Sequence, residues 1–257
     1  MNPGTSMALL ADRTAVITGA ASPRGLGLAC ARLFAEHGAR VLILDIDGVA
    51  AETAAAVLPG DGHFGLRCDV VDKGQCEAAV AAAIERWGAV DVLVNIAGIT
   101  SPQRLLEVTP ESYTRVMDVS MRGTLNMTQA VVPGMRARRS GSIVNMSSVS
   151  AQRGGGVFGG SHYAAAKAAI LGYTKAAARE LGPDNIRVNA LCPGFIDTDI
   201  TAGQLTPERL QAIVAGVPLG RAGHAPDVAG CALFLASDLS AYVTGSEIDV
   251  NGGSHIH

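Results

Sequence analysis

The sequence contains little charge and no long run of basic or apolar residues. Charged residues make up only 17% of the 257 residues and hydrophobic residues 48%, so there is ample apolar surface for a core and little reason to expect disorder. The net charge is −3, and no basic cluster stands out apart from Arg136, Arg138 and Arg139, which suit the end of a helix. These features argue against nucleic acid as a partner.

Cysteine is scarce and irregularly placed. The five cysteines are odd in number, widely spaced and without a Cys-x-x-Cys pair, which argues against a disulfide framework and against a zinc site. Apolar stretches such as Val41–Leu44 are far too short to span a bilayer, and Met1–Leu10 lacks a basic region followed by an apolar core. We therefore expect a cytoplasmic protein that is neither inserted into a membrane nor exported.

Short β-rich runs alternate with Ala/Leu-rich helical stretches along the whole chain. Most of the β-rich runs are nearly continuous in apolar residues, which is typical of parallel strands buried on both faces. The predicted strands are Thr14–Thr18, Val41–Asp45, Phe64–Asp69, Val90–Asn95, Ser142–Ser147, Ile186–Leu191 and Glu247–Val250. The predicted crossover helices include Leu26–His37, Lys73–Trp87, Pro110–Arg138, Tyr163–Leu181 and Pro226–Ala236.

This alternation predicts an α/β fold with a doubly wound, seven-stranded parallel sheet between two layers of helices, a Rossmann fold. No linker, low-complexity tract or break in composition interrupts it. Residues 1–257 are therefore expected to form a single domain.

A glycine-rich turn follows the first predicted strand. It runs from Gly19 through Arg24 and Gly25 to Gly27 and leads directly into an Ala-rich helix. Glycines at such a turn let backbone N–H groups approach a pyrophosphate at the positive end of the helix. A glycine cluster alone is weak evidence, because many strand-to-helix turns use glycine. A Walker loop is excluded, since no Gly-Lys-Ser/Thr follows.

Asp45 strengthens the case for a dinucleotide site. It ends the second predicted strand at close to the separation of roughly 20 residues expected between the glycine turn and a ribose-binding acid. An ordinary solvated aspartate at a strand end is the alternative. Strand, glycine turn, helix, strand and acid together favour the dinucleotide site.

Tyr163 and Lys167 form a candidate catalytic pair. They are four residues apart at the start of a predicted helix, so both side chains lie on one face. A tyrosine that accepts a proton near neutral pH needs a pKa below its usual value of about 10, and a nearby ammonium and a helix N-terminus both lower it. By itself the spacing is common in helices where the two residues only pack. Ser147 and Ser148 raise its significance, because they end a predicted strand, where doubly wound sheets bind ligands.

In order along the chain, these motifs resemble those of the short-chain dehydrogenase/reductase family over essentially the whole sequence. The matching residues are Thr18-Gly19 with Gly25 and Gly27, Cys68-Asp69-Val70, Asn95-Ile96-Ala97-Gly98, Ser148, Tyr163 with Lys167, Pro193-Gly194, Val243-Thr244-Gly245 and Gly252-Gly253. The resemblance implies a nicotinamide-dependent oxidoreductase that interconverts a secondary alcohol and a ketone and assembles as a homotetramer or homodimer.

The resemblance also implies roles for individual residues. Tyr163 would be the general acid/base, Lys167 would bind the nicotinamide ribose and lower the tyrosine pKa, and Ser148 would orient the substrate. Asp69 would contact the adenine. The complete predicted cofactor-binding set is Gly19, Arg24, Gly25, Leu26, Gly27, Asp45, Asp69, Val70, Asn95, Ala97, Gly98, Tyr163, Lys167, Pro193, Gly194, Ile196 and Thr198.

Three features depart from the family's pattern. Five residues separate Gly19 from Gly25 where the family usually has three. Ser120 stands at the position of the family's active-site asparagine and completes the predicted catalytic set. The segment from Ser148 to Tyr163 is a little longer than common and rich in glycine, which could shape an unusual substrate entrance.

The cofactor prediction depends on two residues that disagree. Asp45 can accept hydrogen bonds from both ribose hydroxyls and would repel a 2′-phosphate, which favours NAD. Arg24 favours NADP, because a basic residue before the second glycine often holds the extra phosphate in NADP-using relatives. We predict NAD over NADP, because repulsion in a partly buried site outweighs what one flexible surface arginine restores.

The substrate is the least determined feature. We predict a sugar, polyol or hydroxy acid, with a 3-oxoacyl thioester as the alternative. Asp199–Gly216, in which Thr206-Pro207-Glu208 indicates a helix start, is expected to cover the substrate. Arg153 and Gln152 are consistent with a polar substrate, and a solvated loop explains them equally well.

Proteins of other classes are less consistent with the sequence. A dinucleotide-sensing protein without catalytic activity would be expected to lose the pair Tyr163 and Lys167. Hydrolase chemistry is not favoured, because the sequence has no Gly-x-Ser-x-Gly elbow and no His-Glu-x-x-His helix.

Overall fold

A seven-stranded sheet in which all paired strands are parallel forms the centre of the molecule. The structure is a computed structural model that describes residues 8–156, 158–199 and 205–256. The strand order is β3-β2-β1-β4-β5-β6-β7, and the predicted doubly wound Rossmann-type sheet is confirmed. The strands are β1 Thr14–Thr18, β2 Arg40–Asp45, β3 Phe64–Arg67, β4 Val92–Asn95, β5 Gly141–Met146, β6 Ile186–Pro193 and β7 Glu247–Val250.

Helices connect the strands on both faces of the sheet. The α-helices of the described residues are α1 Leu26–Glu36, α2 Gly48–Ala56, α3 Lys73–Trp87, α4 Pro110–Met117, α5 Gly123–Arg138, α6 Val149–Arg153, α7 Ser161–Leu181, α8 Pro207–Val214 and α9 Ala225–Ala236. Several begin at side chains that accept a hydrogen bond from the first turn, among them Asp47 for α2, Asp72 for α3 and Thr206 for α8. These caps fix where the helices leave the loops.

Two apolar cores cover the two faces of the sheet. Successive strand residues point to opposite faces, so Ile17 and Ile43 pack with α1, α2 and α9, whereas Val16 and Leu42 pack with α3, α5 and α7. All four of these side chains are fully buried. Burial of each contributes about 1.5–3 kcal/mol to folding.

The predicted helix Pro110–Arg138 is wrong as a single α-helix. A π-helical turn at Asp118–Arg122 separates α4 from α5. Ser120 lies within this turn. Such turns insert into α-helices and are frequent at functional sites.

The strand ends differ from the predicted ones where side chains compete for backbone hydrogen bonds. β3 ends at Arg67 rather than Asp69, because the Asp69 N–H donates to Gln75 and its carboxylate accepts from the Val71 N–H. β4 begins at Val92 rather than Val90, since the preceding Asp91 carboxylate accepts from the backbone N–H of Thr14 on β1.

The strand order creates a crevice at one edge of the sheet. The connections reverse direction between β1 and β4, whose last residues Thr18 and Asn95 lie side by side. Doubly wound sheets bind ligands outside the carboxyl ends of the strands at such a reversal. Among the described residues, no helix is long and apolar enough to cross a membrane.

Candidate active site

A cavity of about 750 Å³ opens at this edge of the sheet. Its volume is typical of small-molecule sites, which span about 300–1,000 Å³. The predicted site residues in its wall are Gly19, Gly25, Leu26, Ala97, Gly98, Ser148, Tyr163, Lys167, Pro193, Gly194, Ile196 and Thr198. The predicted site residues outside the wall are Arg24, Gly27, Asp45, Asp69, Val70, Asn95 and Ser120.

Ser148 and Tyr163 come together from different elements. Ser148 is the N-cap of α6, just beyond β5, and its hydroxyl accepts a hydrogen bond from the Ser150 N–H at 3.1 Å. Tyr163 lies in the first turn of α7. Burial raises the pKa of Tyr163, and a hydrogen bond between the Ser148 and Tyr163 hydroxyls opposes this rise. Two hydroxyls able to contact one substrate oxygen are therefore paired in the cavity wall.

Lys167 lies one helical turn beyond Tyr163 and is buried. Its Nζ donates a hydrogen bond to the Met146 carbonyl oxygen at 2.8 Å and lies 5.8 Å from the centre of the Tyr163 ring. Burial lowers the pKa of Lys167 to about 8. Burial is also the largest influence on the Tyr163 pKa, and it acts in the direction opposite to the lowering expected from Lys167.

The glycine turn has the geometry that a dinucleotide requires. Gly19 has φ +63°, and a Cβ there would lie 2.8 Å from the Ala97 Cα. A Cβ on Gly27 would lie 2.5 Å from the Ala20 Cα. Gly25 is the N-cap of α1 and provides no side-chain hydrogen bond. An anion can therefore bind the first N–H groups of the helix without displacing a capping side chain. These residues fit a bound pyrophosphate.

Asp45 and Arg24 lie at this turn with different partners. The Asp45 carboxylate accepts hydrogen bonds from the Ala21 N–H at 3.0 Å and from the Asp47 N–H at 3.3 Å. It therefore lies against the glycine turn, where a ribose-binding acid is needed. The Arg24 guanidinium instead pairs with Asp197 at 2.7 Å.

Comparison with known proteins agrees with this geometry. A family model described as Enoyl-(Acyl carrier protein) reductase matches residues 19–255. A protein of Sinorhizobium fredii named as an uncharacterized short-chain type dehydrogenase/reductase is 55% identical over 97% of this chain and 100% of its own. The chain belongs to the short-chain dehydrogenase/reductase family. It is accordingly an NAD(P)-dependent oxidoreductase that acts on CH–OH groups.

Further relatives of this short-chain dehydrogenase/reductase have more specific names. A 3-oxoacyl-[acyl-carrier-protein] reductase of Chlamydia muridarum is 42% identical over 95% of this chain and 98% of its own. The crystal structure of a short-chain type dehydrogenase/reductase from Mycobacterium marinum has a TM-score of 0.89 and 32% identity, covering 98% of each chain.

One predicted residue of this dehydrogenase/reductase, Ser120, lies behind the cavity wall at Gly98 and close to Lys167. A Cβ on Gly98 would lie 3.3 Å from the Lys167 Nζ and 3.7 Å from the Ser120 Oγ. Ser120 is fully buried, and its hydroxyl has no hydrogen-bond partner among the described residues. Ser120 thus approaches the lysine side of the site without lining the cavity.

Asn95, Asp69 and Val70 of the dehydrogenase/reductase make contacts within the protein outside the cavity wall. The buried Asn95 amide donates to the Asn145 side-chain oxygen at 2.9 Å and ties β4 to β5. The Asp69 carboxylate orders the turn after β3, and Val70 packs against Gly123 at the start of α5.

The substrate half of the dehydrogenase/reductase site contains residues that the sequence patterns did not reveal. Phe158 and Phe195 stack with ring centres 5.8 Å apart and line the cavity.

Within the predicted covering segment Asp199–Gly216, residues 200–204 lie outside the described residues. Its predicted helix is confirmed as α8, which brings Arg209 and Ile213 to the cavity.

The two polar residues considered for the substrate separate in the structure. Arg153, the last residue of α6, lines the cavity. Gln152 does not line it and donates a hydrogen bond to Asp249 at 2.8 Å. Among the described residues, no group of three or more His, Cys, Asp or Glu side chains could hold a metal ion.

Proposed function

We propose that the enzyme uses NAD to interconvert a secondary alcohol and a ketone, with Tyr163 as the general acid/base of a single catalytic domain. The observation that carries this proposal is that Ser148, Tyr163 and buried Lys167 converge in the wall of one cavity. The same cavity wall continues to the glycine turn at Gly19 and Gly25. The two hydroxyls and the glycine turn therefore line the same cavity, so a substrate and a dinucleotide could meet there.

The proposed mechanism assigns one proton and one hydride. When bound, the nicotinamide ring supplies the hydride acceptor for alcohol oxidation and the hydride donor for ketone reduction. In oxidation the deprotonated Tyr163 oxygen takes the alcohol proton, and in reduction the Tyr163 hydroxyl donates its proton to the carbonyl oxygen. The substrate oxygen occupies the space between the hydroxyls of Ser148 and Tyr163, and both hydrogen-bond it.

Lys167 has two roles in this proposal. Its ammonium, 5.8 Å from the Tyr163 ring centre, stabilises the negative charge that forms when the tyrosine has lost its proton. It also holds the nicotinamide ribose. Because Lys167 is buried and anchored to the Met146 carbonyl, its position is fixed before any ligand binds.

NAD is the proposed cofactor because the groups at the adenosine end favour it. Asp45 offers carboxylate oxygens beside the glycine turn, where ribose hydroxyls can donate to them. Arg24, the basic residue that could hold a 2′-phosphate, is already paired with Asp197. A 2′-phosphate would meet a carboxylate without a free guanidinium to compensate.

The cavity narrows the proposed substrate to a hydroxy acid. Phe158, Phe195, Ile213 and Val217 form an apolar part of its wall, and hydroxyls of a sugar or polyol that lay against these four side chains would have no partners there. A hydroxy acid with an apolar body would bury no such hydroxyls against these side chains.

A 3-oxoacyl thioester is the second candidate substrate. The 42% identity to the Chlamydia muridarum 3-oxoacyl-[acyl-carrier-protein] reductase over nearly the full length of both chains supports it. The apolar cavity also suits an acyl chain.

Kinetics with a panel of substrates test the proposal. NADH formation or consumption would be followed with hydroxy acids, polyols, sugars, a 3-oxoacyl thioester and a 2-enoyl thioester. We expect turnover of a hydroxy acid or its oxo acid, and loss of that turnover in Tyr163→Phe. NAD binding without turnover of any compound would instead support a dinucleotide sensor, and normal turnover in Tyr163→Phe would overturn the mechanism.

We also propose that the enzyme is a cytoplasmic homotetramer or homodimer. All five cysteines are free thiols, as in a reducing compartment. Leu106 and Tyr242 are almost fully exposed and can be covered in an assembly. Light scattering after size exclusion measures the assembly, and a monomer at micromolar concentration would contradict it.

A further inference from the structure

Two arginines line the reaction cavity although the proposed mechanism uses neither. Arg153 is the last residue of α6, and Arg209 lies near the start of α8. The two residues come to the wall of one cavity from separate segments of the chain. Arginine forks bind carboxylates through paired N–H···O bonds, so their presence in the wall points to an anionic group.

Arg153 is accessible to such a group. Its side chain is exposed at the cavity wall and lies over the glycine-rich loop. A Cβ on Gly156 would lie 3.4 Å from the Arg153 Nη2 atom. The Arg153 Nε donates a long hydrogen bond of 3.4 Å to the Gly155 carbonyl oxygen. Within residues 8–156, 158–199 and 205–256, Arg153 forms no ion pair with an acidic side chain.

The acidic residue in the cavity wall, Asp199, does not neutralise the positive charge of Arg153. Asp199 is the acidic residue that the described chain contributes to the wall. Its carboxylate accepts the Ser22 hydroxyl at 2.7 Å and the Arg24 backbone N–H at 3.1 Å. It is therefore committed to the glycine turn, at the cofactor side.

Helix α6 separates Ser148, which would hold the substrate oxygen, from Arg153. Ser148 caps the N-terminus of α6 and Arg153 ends it. At 1.5 Å per residue, these two positions are about 7.5 Å apart along the helix axis. The cavity wall also contains the stacked rings of Phe158 and Phe195. A carboxylate bound at Arg153 would therefore be separated by several bonds from a carbonyl carbon held at Ser148.

We propose that Arg153, together with Arg209, binds a substrate carboxylate, so that the substrates are oxo acids and hydroxy acids whose carboxylate is separated from the reacting carbon by several apolar bonds. This inference rests on the proposed function and distinguishes between its two substrate candidates. A 3-oxoacyl thioester presents a neutral thioester in place of the carboxylate. It would place no carboxylate at Arg153.

Matched acid and amide probes test the carboxylate site. 5-Oxohexanoate and 6-oxoheptanoate would each be compared with their primary amides, which differ only in the charged end. Dissociation constants for the NAD-loaded enzyme come from calorimetry and do not require turnover. Values of kcat/KM for ketone reduction with NADH provide the second readout. A 3-oxohexanoyl thioester and a neutral ketone serve as reference substrates.

We expect the wild-type enzyme to prefer at least one acid over its amide by about tenfold to a hundredfold, the usual range for a hydrogen bond to a charged group. Arg153→Ala should reduce this preference at least about fivefold, and Arg153→Lys should restore part of it. Arg209→Ala should reduce it as well. Arg179→Ala, which removes an exposed charge from the last turn of α7, is the matched control and should leave the preference unchanged.

The outcomes separate this inference from the proposed function. Reduction of the neutral ketone or the thioester without any preference for the acids would overturn the carboxylate site and leave the oxidoreductase function intact. An acid preference that survives in both Arg153→Ala and Arg209→Ala would also overturn it. Failure to reduce any ketone would count against the proposed function itself, and failure of both acids to bind at millimolar concentration would overturn the inference.

Discussion

Asp45→Ser tests most directly how the enzyme selects its cofactor. The half-buried Asp45 carboxylate is held against the glycine turn by the N–H groups of Ala21 and Asp47, so a 2′-phosphate on the ribose would lie beside it. Two unit charges about 5 Å apart repel by about 3 kcal/mol at an effective dielectric constant of 20. Solvent at this half-exposed site reduces that value to on the order of 1–2 kcal/mol. We therefore expect kcat/KM for NAD to exceed that for NADP at least tenfold, or by about 1.4 kcal/mol.

Arg24 should not offset this repulsion while its acidic partners are present. Its guanidinium lies 2.7 Å from Asp197 and 4.0 Å from Asp199. Arg24→Ala should consequently change the preference by less than about threefold. In an Asp45→Ser background, Asp197→Asn frees the guanidinium and should raise NADP efficiency further, a coupling that a double-mutant cycle measures.

Steady-state kinetics with both cofactors on one substrate measure these effects. Asp45→Ser should narrow the preference to within about threefold. Asp47→Asn is the matched control, because it removes an adjacent charge and retains a side chain able to cap α2. Equal efficiencies in the wild-type enzyme, or an unchanged preference in Asp45→Ser, would refute the assignment of Asp45.

Three further predictions concern the reaction centre. Tyr163→Phe should retain NADH affinity and lower turnover by roughly a hundredfold or more, as measured by NADH fluorescence titration and kcat; near-normal kcat would contradict the assigned role. Ser120→Asn should leave activity intact or improve it if the π-helical turn tolerates the longer side chain, whereas abolished kcat would indicate a specific role for the serine hydroxyl. Because burial lowers the Lys167 pKa to about 8, ketone reduction should decline as pH rises through about 8, when the ammonium loses its proton. This decline should be absent from the residual activity of Lys167→Met, and its persistence there would assign it to another group.

The lowered Lys167 pKa also affects stability in a defined direction. The unfolded lysine has a pKa of about 10.4, so between about pH 8 and that value the unfolded chain binds more protons than the folded one. Stability contributed by this site therefore rises with pH across that window. Below about pH 8 the burial of the charged ammonium exerts its full cost, which the hydrogen bond to Met146 partly offsets.

The positions of the candidate cofactor-binding residues at the strand ends were largely predictable from the sequence, because the sheet determines them. Parallel strands with buried faces have apolar runs, and their carboxyl ends meet at one edge. Gly19, Asp45 and Ser148 all lie at or just beyond such ends. Gly19 also carries its own constraint, because only a residue without Cβ fits against Ala97.

The substrate half was much less predictable because no periodic pattern specifies it. Phe158 and Phe195 are close through a loop and the segment after β6, and their stacking depends on tertiary geometry. The π-helical turn Asp118–Arg122 contains no glycine or proline that would mark it in the sequence, so Pro110–Arg138 was predicted as one element. α2 was not predicted, although Asp47 marks its start as an N-cap.

The lengthened glycine turn joins these two halves. Within this turn, the Ser22 hydroxyl and the Arg24 N–H both donate hydrogen bonds to Asp199, the first residue of the segment expected to cover the substrate. These hydrogen bonds lower the pKa of Asp199 and keep it ionised. Arg24 cannot move to a 2′-phosphate without breaking its pairing with Asp197. We therefore expect cofactor choice and the position of the substrate-covering segment to be linked through Asp197 and Asp199.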